Sequence, residues 1–214
     1  MHDSIVTAAS AILAALILAA YLIGSLSFAV ILSRLFGLAD PRSYGSGNPG
    51  ATNVLRSGRK AVAALTLLGD GAKGAAAVLL GHWVAARYGL PAFAPALAGL
   101  AAFVGHLWPV FFGFKGGKGV ATALGLLLAL DPWLGLACAG TWLLMFMLLR
   151  ISSLAALTAA ALAPLHAWLL GAGSITVAVL AVLAALIFWR HAANIRRLLR
   201  GEERAFGRKA APET

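Results

Sequence analysis

Residues 5–32 read IVTAASAILAALILAAYLIGSLSFAVIL, a run without one charged side chain. About 20 apolar residues in a helix cross the hydrocarbon core of a bilayer, so this stretch is long enough with residues to spare. A secretory leader is the competing reading, but its apolar core is only ~7–15 residues and follows a basic stretch. Here only His2 and Asp3 stand close before the run, which therefore reads as a retained helix. Comparable blocks recur at Leu143–Leu149, Leu154–Leu170 and Ile175–Trp189.

Composition extends the point to the whole chain. Of 214 residues, 61% are hydrophobic and 11% charged, against about 45–50% and about 25% in soluble domains. Mean hydropathy is +0.90. The expectation is an all-α polytopic membrane protein of one domain, residues 1–214. Seven spans are expected, near 8–33, 63–86, 92–113, 118–131, 133–149, 153–170 and 174–190. Turn-forming pairs agree with the breaks: Gly89-Leu90-Pro91, Trp108-Pro109, Asp131-Pro132 and Gly171-Ala172-Gly173. The fourth span is short, leaving three options: a thinned bilayer, a Lys115–Gly119 turn that dips below the headgroups, or a helix that borrows the Gly-Gly-Lys-Gly stretch. The dipping turn is favoured, and it would place two lysines in a partly dry cleft.

The net charge of +10 is unevenly placed. Arg34, Arg42, Arg56, Arg59, Lys60, Lys115, Lys118, Arg150, Arg190, Arg196, Arg197, Arg200, Arg204, Arg208 and Lys209 fall on one side of the expected topology. Only Arg87 falls on the other, and Lys73 lies inside the second apolar block. The positive-inside rule then puts the N-terminus outside and the C-terminus in the cytoplasm, which requires an odd number of spans. Charge confined to helix ends meets lipid headgroups, and no polar domain presents a basic face to nucleic acid. The single cysteine, Cys138, sits in an apolar block and reads as a small buried side chain.

Two polar segments interrupt this apolar chain. Gly45–Asn53 reads GSGNPGATN, flanked by Arg42 and Arg56; Phe114–Thr122 reads FKGGKGVAT. The first contains a literal G-x-G-x-x-G, but a hydrophobic helix precedes it where a dinucleotide fold needs a strand, and neither segment is a Walker A loop. What remains is anion chemistry. Gly47 and Gly50 let backbone N–H groups converge, Ser46, Asn48, Thr52 and Asn53 add donors, and Arg56 adds a planar fork suited to phosphate. Lys115, Gly117 and Lys118 stand at a helix start, where exposed N–H groups favour an anion. The bland alternatives are an inert ordered loop and two ordinary positive-inside lysines.

Asp70 and Lys73 share a helix face at i, i+3 inside the second block, either as a functional pair or as a structural one beneath the cleft. His191 and Asn194, again i, i+3, end the last span, where histidine serves as a base or as a phosphate donor. Ser153 follows Arg150 at another expected cytoplasmic end. His82, His106 and His166 have no second ligand at metal spacing and read as packing or interfacial side chains. No HExxH or Cys cluster exists and carboxylates are few, so neither a metal nor another cofactor is expected.

Taken together, GSGNPGATN at 45–53, DGAKG at 70–74, GHLWPVFFGFKGGKGVAT at 105–122 and HAANIRR at 191–197 resemble the signature segments of the bacterial acyl-phosphate-dependent glycerol-3-phosphate acyltransferases. The resemblance covers nearly the whole chain. It implies transfer of a fatty acyl group from acyl phosphate to the 1-hydroxyl of sn-glycerol 3-phosphate in a bacterial inner membrane, with the site facing the cytoplasm. The family's ligand-contacting positions fall on Ser46, Arg56, Lys115, Ser153, His191 and Asn194. Partners are then the two substrates and the bilayer, with a monomer as the expected state. A CoA-dependent acyltransferase with His-x4-Asp is excluded, because positions five after the histidines are Thr7, Arg87, Phe111, Gly171 and Arg196. A transporter for a phosphorylated metabolite predicts repeats or broken helices in matching halves, and the sequence shows none.

Overall fold

The computed structural model describes residues 2–203 and 205. Arg204, Arg208 and Lys209, counted above among the positive-side residues, lie outside the described residues. The described residues form helices and connecting turns only: α1 (His2–Gly24), α2 (Phe28–Leu35), α3 (Ala51–Leu55), α4 (Lys60–Tyr88), α5 (Ala94–Leu107), α6 (Val120–Leu130), α7 (Pro132–Leu149), α8 (Ser152–Leu169), α9 (Ser174–Arg190) and α10 (Ala192–Leu199).

Each expected span has a helical counterpart, but not all are full-length crossings. Five segments are long and apolar enough to cross a membrane: Thr7–Leu35, Lys60–Tyr88, Ala94–Phe112, Pro132–Leu149 and Ser152–Leu169. Ser174–Arg190 with Ala192–Leu199 makes a sixth if the pair, bent by 64°, counts as one span. The expected fourth span is α6, only 11 residues long. Length and composition thus support five or six spans, and the shortfall from seven lies in α6 and in the bend beside His191.

Local chemistry explains the element ends. Asp131 caps α7, its carboxylate accepting from the backbone N–H of Trp133 at 2.7 Å and Leu134 at 3.1 Å, with Pro132 at the first helical position. Gly89, in the left-handed region, closes α4. One interruption has no Gly-Pro signal: α1 ends at Gly24 and α2 begins at Phe28. There the Ser25 hydroxyl bonds back to the Tyr21 carbonyl at 2.9 Å, and the Leu26 carbonyl accepts from Lys73 Nζ at 2.7 Å.

Helix α4 is the hub, packing against α1, α5 and α6, while α7, α8 and α9 follow in sequence along one flank. Small residues let backbones meet at these crossings. A side chain at Gly125 would collide with the Gly71 backbone, and one at Gly74 with that of Thr122. Leu68, Leu79, Trp83, Trp133, Leu144, Met147, Leu148 and Trp168 point outward and are exposed, the pattern of a surface solvated by hydrocarbon rather than water. The segments carrying Arg42, Lys118, Ser153 and Arg190 touch one another, directly or through their neighbours, at one end of the bundle.

Candidate active site

The second Gly-rich segment forms a recessed floor. After α5 the chain passes a short turn at Val110–Phe112 and then doubles back, so that the Gly117 N–H donates to the His106 carbonyl at 3.2 Å. The loop therefore re-enters to the level of the last turn of α5, which is why α6 has so few residues left. Gly116, Gly117 and Gly119 are buried and Lys115 is exposed. A side chain at Gly116 would strike the His106 and Leu107 carbonyls, and Gly119 turns through φ 79° into α6. Arg190 clamps this floor from the last span, with Nε donating to the Gly117 carbonyl at 3.0 Å and Nη2 to the Gly116 carbonyl at 2.8 Å. A trans peptide points its N–H opposite to its C=O, so this clamp turns the Lys118 N–H away from Arg190.

Beside the floor, four elements converge. Lys118 Nζ donates to Asn194 Oδ1. Asn194 Nδ2 donates to Glu203 Oε1 at 2.5 Å, and the Ser153 hydroxyl donates to the same oxygen at 2.6 Å. Arg197 Nε donates to Glu203 Oε2 at 2.6 Å. Burial pushes the Glu203 carboxyl up, but its donors Ser153, Asn194 and Arg197 outweigh this and leave it below the usual range. Burial lowers the Lys118 ammonium to about 8, with Glu203 opposing the shift and neighbouring arginines adding to it. Of the two lysines expected in a partly dry cleft, Lys118 is the one that lies in it. His191 is buried at the bend between α9 and α10, its Nδ1 2.8 Å from the Ile187 carbonyl. A carbonyl only accepts, so Nδ1 carries the proton and Nε2 is left as an acceptor.

The first Gly-rich segment is an exposed lip. Ser46, Gly47, Thr52 and Arg56 are exposed, and Asn48 and Gly50 are half-buried. Asn53 departs from its expected place facing a ligand. It is buried, its Oδ1 accepts from the Ser46 N–H at 3.0 Å and from Arg56 Nη1 at 3.4 Å, and its Nδ2 donates to the Pro41 and Tyr44 carbonyls at 2.7 and 3.1 Å. Asn53 shapes the lip from within. Arg42 pairs with Asp40 at 2.6 Å, which holds the Asp40 carboxyl below its usual range, and also donates to the Phe112 carbonyl at 3.1 Å. The lip thus reaches the floor through Arg42 and through Pro49, whose carbonyl lies against Gly117.

Asp70 and Lys73 pair as their spacing suggests, 3.0 Å apart and buried. His106, read from sequence as packing, joins them: Nδ1 lies 3.7 Å from Asp70 Oδ1 and 3.3 Å from Thr122 Oγ1. Sequence reasoning also passed over Glu203 and the clamp by Arg190. Nothing local marks Glu203, which meets Ser153 across 50 residues; the signal available was its closeness to the His191–Arg197 segment. Among the described residues, no group of three or more His, Cys, Asp or Glu is placed to hold a metal ion.

The N–H groups of Gly47 and Gly50, expected to converge on an anion, instead donate to the Tyr44 and Asn48 carbonyls, and that of Ser46 to Asn53 Oδ1. The arrangement joins a recessed, positively charged floor, an exposed loop presenting the Ser46 and Arg56 side chains, and a histidine whose Nε2 is left as an acceptor. It suits two anionic groups held side by side with a hydroxyl to be oriented between them. Comparison with known proteins identifies the family. The model of the family described as glycerol-3-phosphate acyltransferase matches residues 14–201. A glycerol-3-phosphate acyltransferase of Thiobacillus denitrificans is 58% identical over 91% of this chain and 98% of its own length. One from Neisseria meningitidis is 58% identical over 88% and 94%. Two crystal structures of PlsY (YgiH), an integral membrane glycerol 3-phosphate acyltransferase, superpose on the chain. The glycerol 3-phosphate form gives a TM-score of 0.84 at 41% identity, covering 91% of this chain and 96% of that one. The lysophosphatidic acid form gives 0.83 at 40%, covering 91% and 95%.

Proposed function

The chain belongs to the glycerol-3-phosphate acyltransferase family, and on that premise we propose that its acyl donor is an acyl phosphate. The reaction makes 1-acyl-sn-glycerol 3-phosphate and inorganic phosphate, the first acylation of phospholipid synthesis. The observation that carries this reading is the meeting of the two Gly-rich segments, floor and lip, at one end of the bundle: two phosphates call for two cradles.

An acyl phosphate is a mixed anhydride with a good leaving group, so the protein needs positioning and charge neutralisation more than covalent machinery. In our reading Lys115, Lys118 and the amides around Gly117 hold one phosphate. The Ser46 hydroxyl, Arg56 and the Asn48 amide hold the other, with Thr52 at the rim, Asn53 keeping the lip in shape, and Gly47 and Gly50 turning the chain through their own bonds to the Tyr44 and Asn48 carbonyls. His191 Nε2 accepts from the glycerol 1-hydroxyl, while Asn194 and Ser153 orient its neighbours. The 1-oxygen attacks the acyl carbon, the new ester C–O bond forms, and the C–O bond to phosphate breaks. The hydroxyl proton leaves with the product as hydrogen phosphate. Asp70 and Lys73 support the floor from below.

The same proposal takes α6 and the bent α9–α10 pair as membrane segments, giving seven spans with the N-terminus outside and the charged end in the cytoplasm of a bacterial inner membrane. The test uses purified protein in detergent with labelled glycerol 3-phosphate and either palmitoyl phosphate or palmitoyl-CoA. Lysophosphatidic acid is expected from palmitoyl phosphate alone. Product from palmitoyl-CoA, with none from palmitoyl phosphate, would overturn the donor assignment.

A further inference from the structure

Asp70, Lys73 and His106 are buried together in the bundle, exposed by 2%, 4% and 7%. Taking an ion out of water costs several kcal/mol even after relaxation, and a buried pair contributes little net stability in return. Ionisable groups inside membrane segments therefore call for a function. None of the three bonds to the Lys118–Asn194–Glu203 cluster, and the chemistry above uses none of them on a reacting atom.

Their polar atoms lie in series, in charge contact rather than in an unbroken run of hydrogen bonds, since the buried Asp70 Oδ1 accepts none. Lys73 Nζ links the Leu26 carbonyl, at the interruption between α1 and α2, to Asp70 Oδ1. Asp70 faces Nδ1 of His106, and the same nitrogen faces the Thr122 hydroxyl near the start of α6. The opposite edge of the imidazole abuts Gly117, where Nε2 occupies the space a Cβ would need. The Pro49 carbonyl closes that space from the other side, 2.9 Å from where the Cβ would stand. The ring thus stands under a point where floor and lip touch, its Nδ1 edge within hydrogen-bond distance of Thr122 on α6 and facing the Asp70 carboxylate on α4.

We propose that His106, held by Asp70, Lys73 and Thr122, is a positioning residue that sets the spacing between the two Gly-rich segments and so between the two phosphate-bearing substrates. The inference rests on the acyl-transfer reading of the same site. A rigid ring with one edge fixed is a spacer, and its loss shifts the segments relative to each other without removing a ligand from either. Misplacement of a reacting group by about 1 Å can cost ~10²-fold in rate. That cost falls on kcat, because each substrate keeps its own contacts.

The test compares wild type with His106→Ala, His106→Asn and Thr122→Val, purified in detergent, for thermal midpoint and for kcat and KM of both substrates. His106→Ala is expected to lower kcat about 30–100-fold with each KM within about 3-fold of wild type. Thr122→Val keeps the side-chain shape and frees the ring; kcat should fall about 3–10-fold with the thermal midpoint nearly unchanged. His106→Asn retains a donor near the Nδ1 position and should recover part of the loss. A folded His106→Ala enzyme with unchanged kcat, or one whose KM alone rises, would overturn the positioning role. If His106→Ala does not fold, Thr122→Val decides by the same criterion. Wild-type inactivity toward palmitoyl phosphate would overturn only the donor assignment, and the same variants are then compared with the donor the wild type does use.

Discussion

The two Gly-rich segments have similar composition but opposite mechanical character. Within Phe114–Thr122 the glycines Gly116, Gly117 and Gly119 are recessed, with Gly116 and Gly117 clamped by Arg190 and backed by His106, while Lys115 stands exposed at its edge. Gly45–Asn53 is an exposed turn held from inside by one buried asparagine. Contacts from other elements brace the first, whereas the second is held mainly by its own Asn53, and from this we infer that the second is the more adaptable. Pre-organised groups act on the transition state, whereas adaptable ones act mainly on binding. Damage to the floor should therefore appear in kcat and damage to the lip in KM.

The hardest test of that division is truncation at the floor and at the histidine beside it. Lys115→Ala and His191→Ala should each lower turnover by about 10²–10³-fold, read as lysophosphatidic acid formed per folded enzyme. Retained activity in both would mean the reacting atoms lie elsewhere. Next in size is a paired glycine substitution. Gly117→Ala forces a methyl group against the His106 ring and the Pro49 carbonyl, and kcat should fall about 10²-fold. Gly47→Ala meets only the Arg42 carbonyl at 3.6 Å and must hold φ 66°, which costs about 1–2 kcal/mol of local conformation. Its kcat should stay near wild type.

A smaller effect separates the two segments by substrate. Arg56→Lys loses the planar fork at the lip and should raise one KM about 10-fold while kcat changes little. A fall in kcat alone would erase the distinction between floor and lip. The mildest probe is pH. Lys118, lowered to about 8, is charged below that value and loses its charge above it. The kcat/KM of the free enzyme should therefore decline as pH rises through about 8, and Lys118→Arg should move that limb upward. A profile unchanged by Lys118→Arg would remove Lys118 from the floor's electrostatics.

Much of the framework is legible in one sequence because membrane helices satisfy their own backbone and announce themselves by apolar length. The Gly and Pro breaks, Asp131-Pro132 among them, the i, i+3 pairing of Asp70 with Lys73 and the shortness of α6 follow from spacing alone. The candidate residues Lys118, Asn194 and Ser153 are found together, joined through Glu203. What stays hidden depends on contacts between distant helices. His106 has no local partner to mark it, and its role appears only when α4 and α6 bring Asp70 and Thr122 to its ring. Arg190 looks like any positive charge at a helix end until the recessed loop arrives beneath it. The interruption at Ser25–Ser27 carries no proline, and Lys73 on another helix takes up the Leu26 carbonyl there.

The re-entry of the Lys115–Gly119 loop has a consequence for yield as well as for rate. An acyl phosphate can lose its acyl group to water as readily as to an alcohol, and bulk water is the more abundant acceptor. In the proposed acyl-phosphate reaction, a floor set at the level of the last turn of α5 receives one hydroxyl on a phosphate tether below the exposed lip. On that proposal the depth of the loop sets how many activated acyl groups become lipid and how many are wasted as fatty acid.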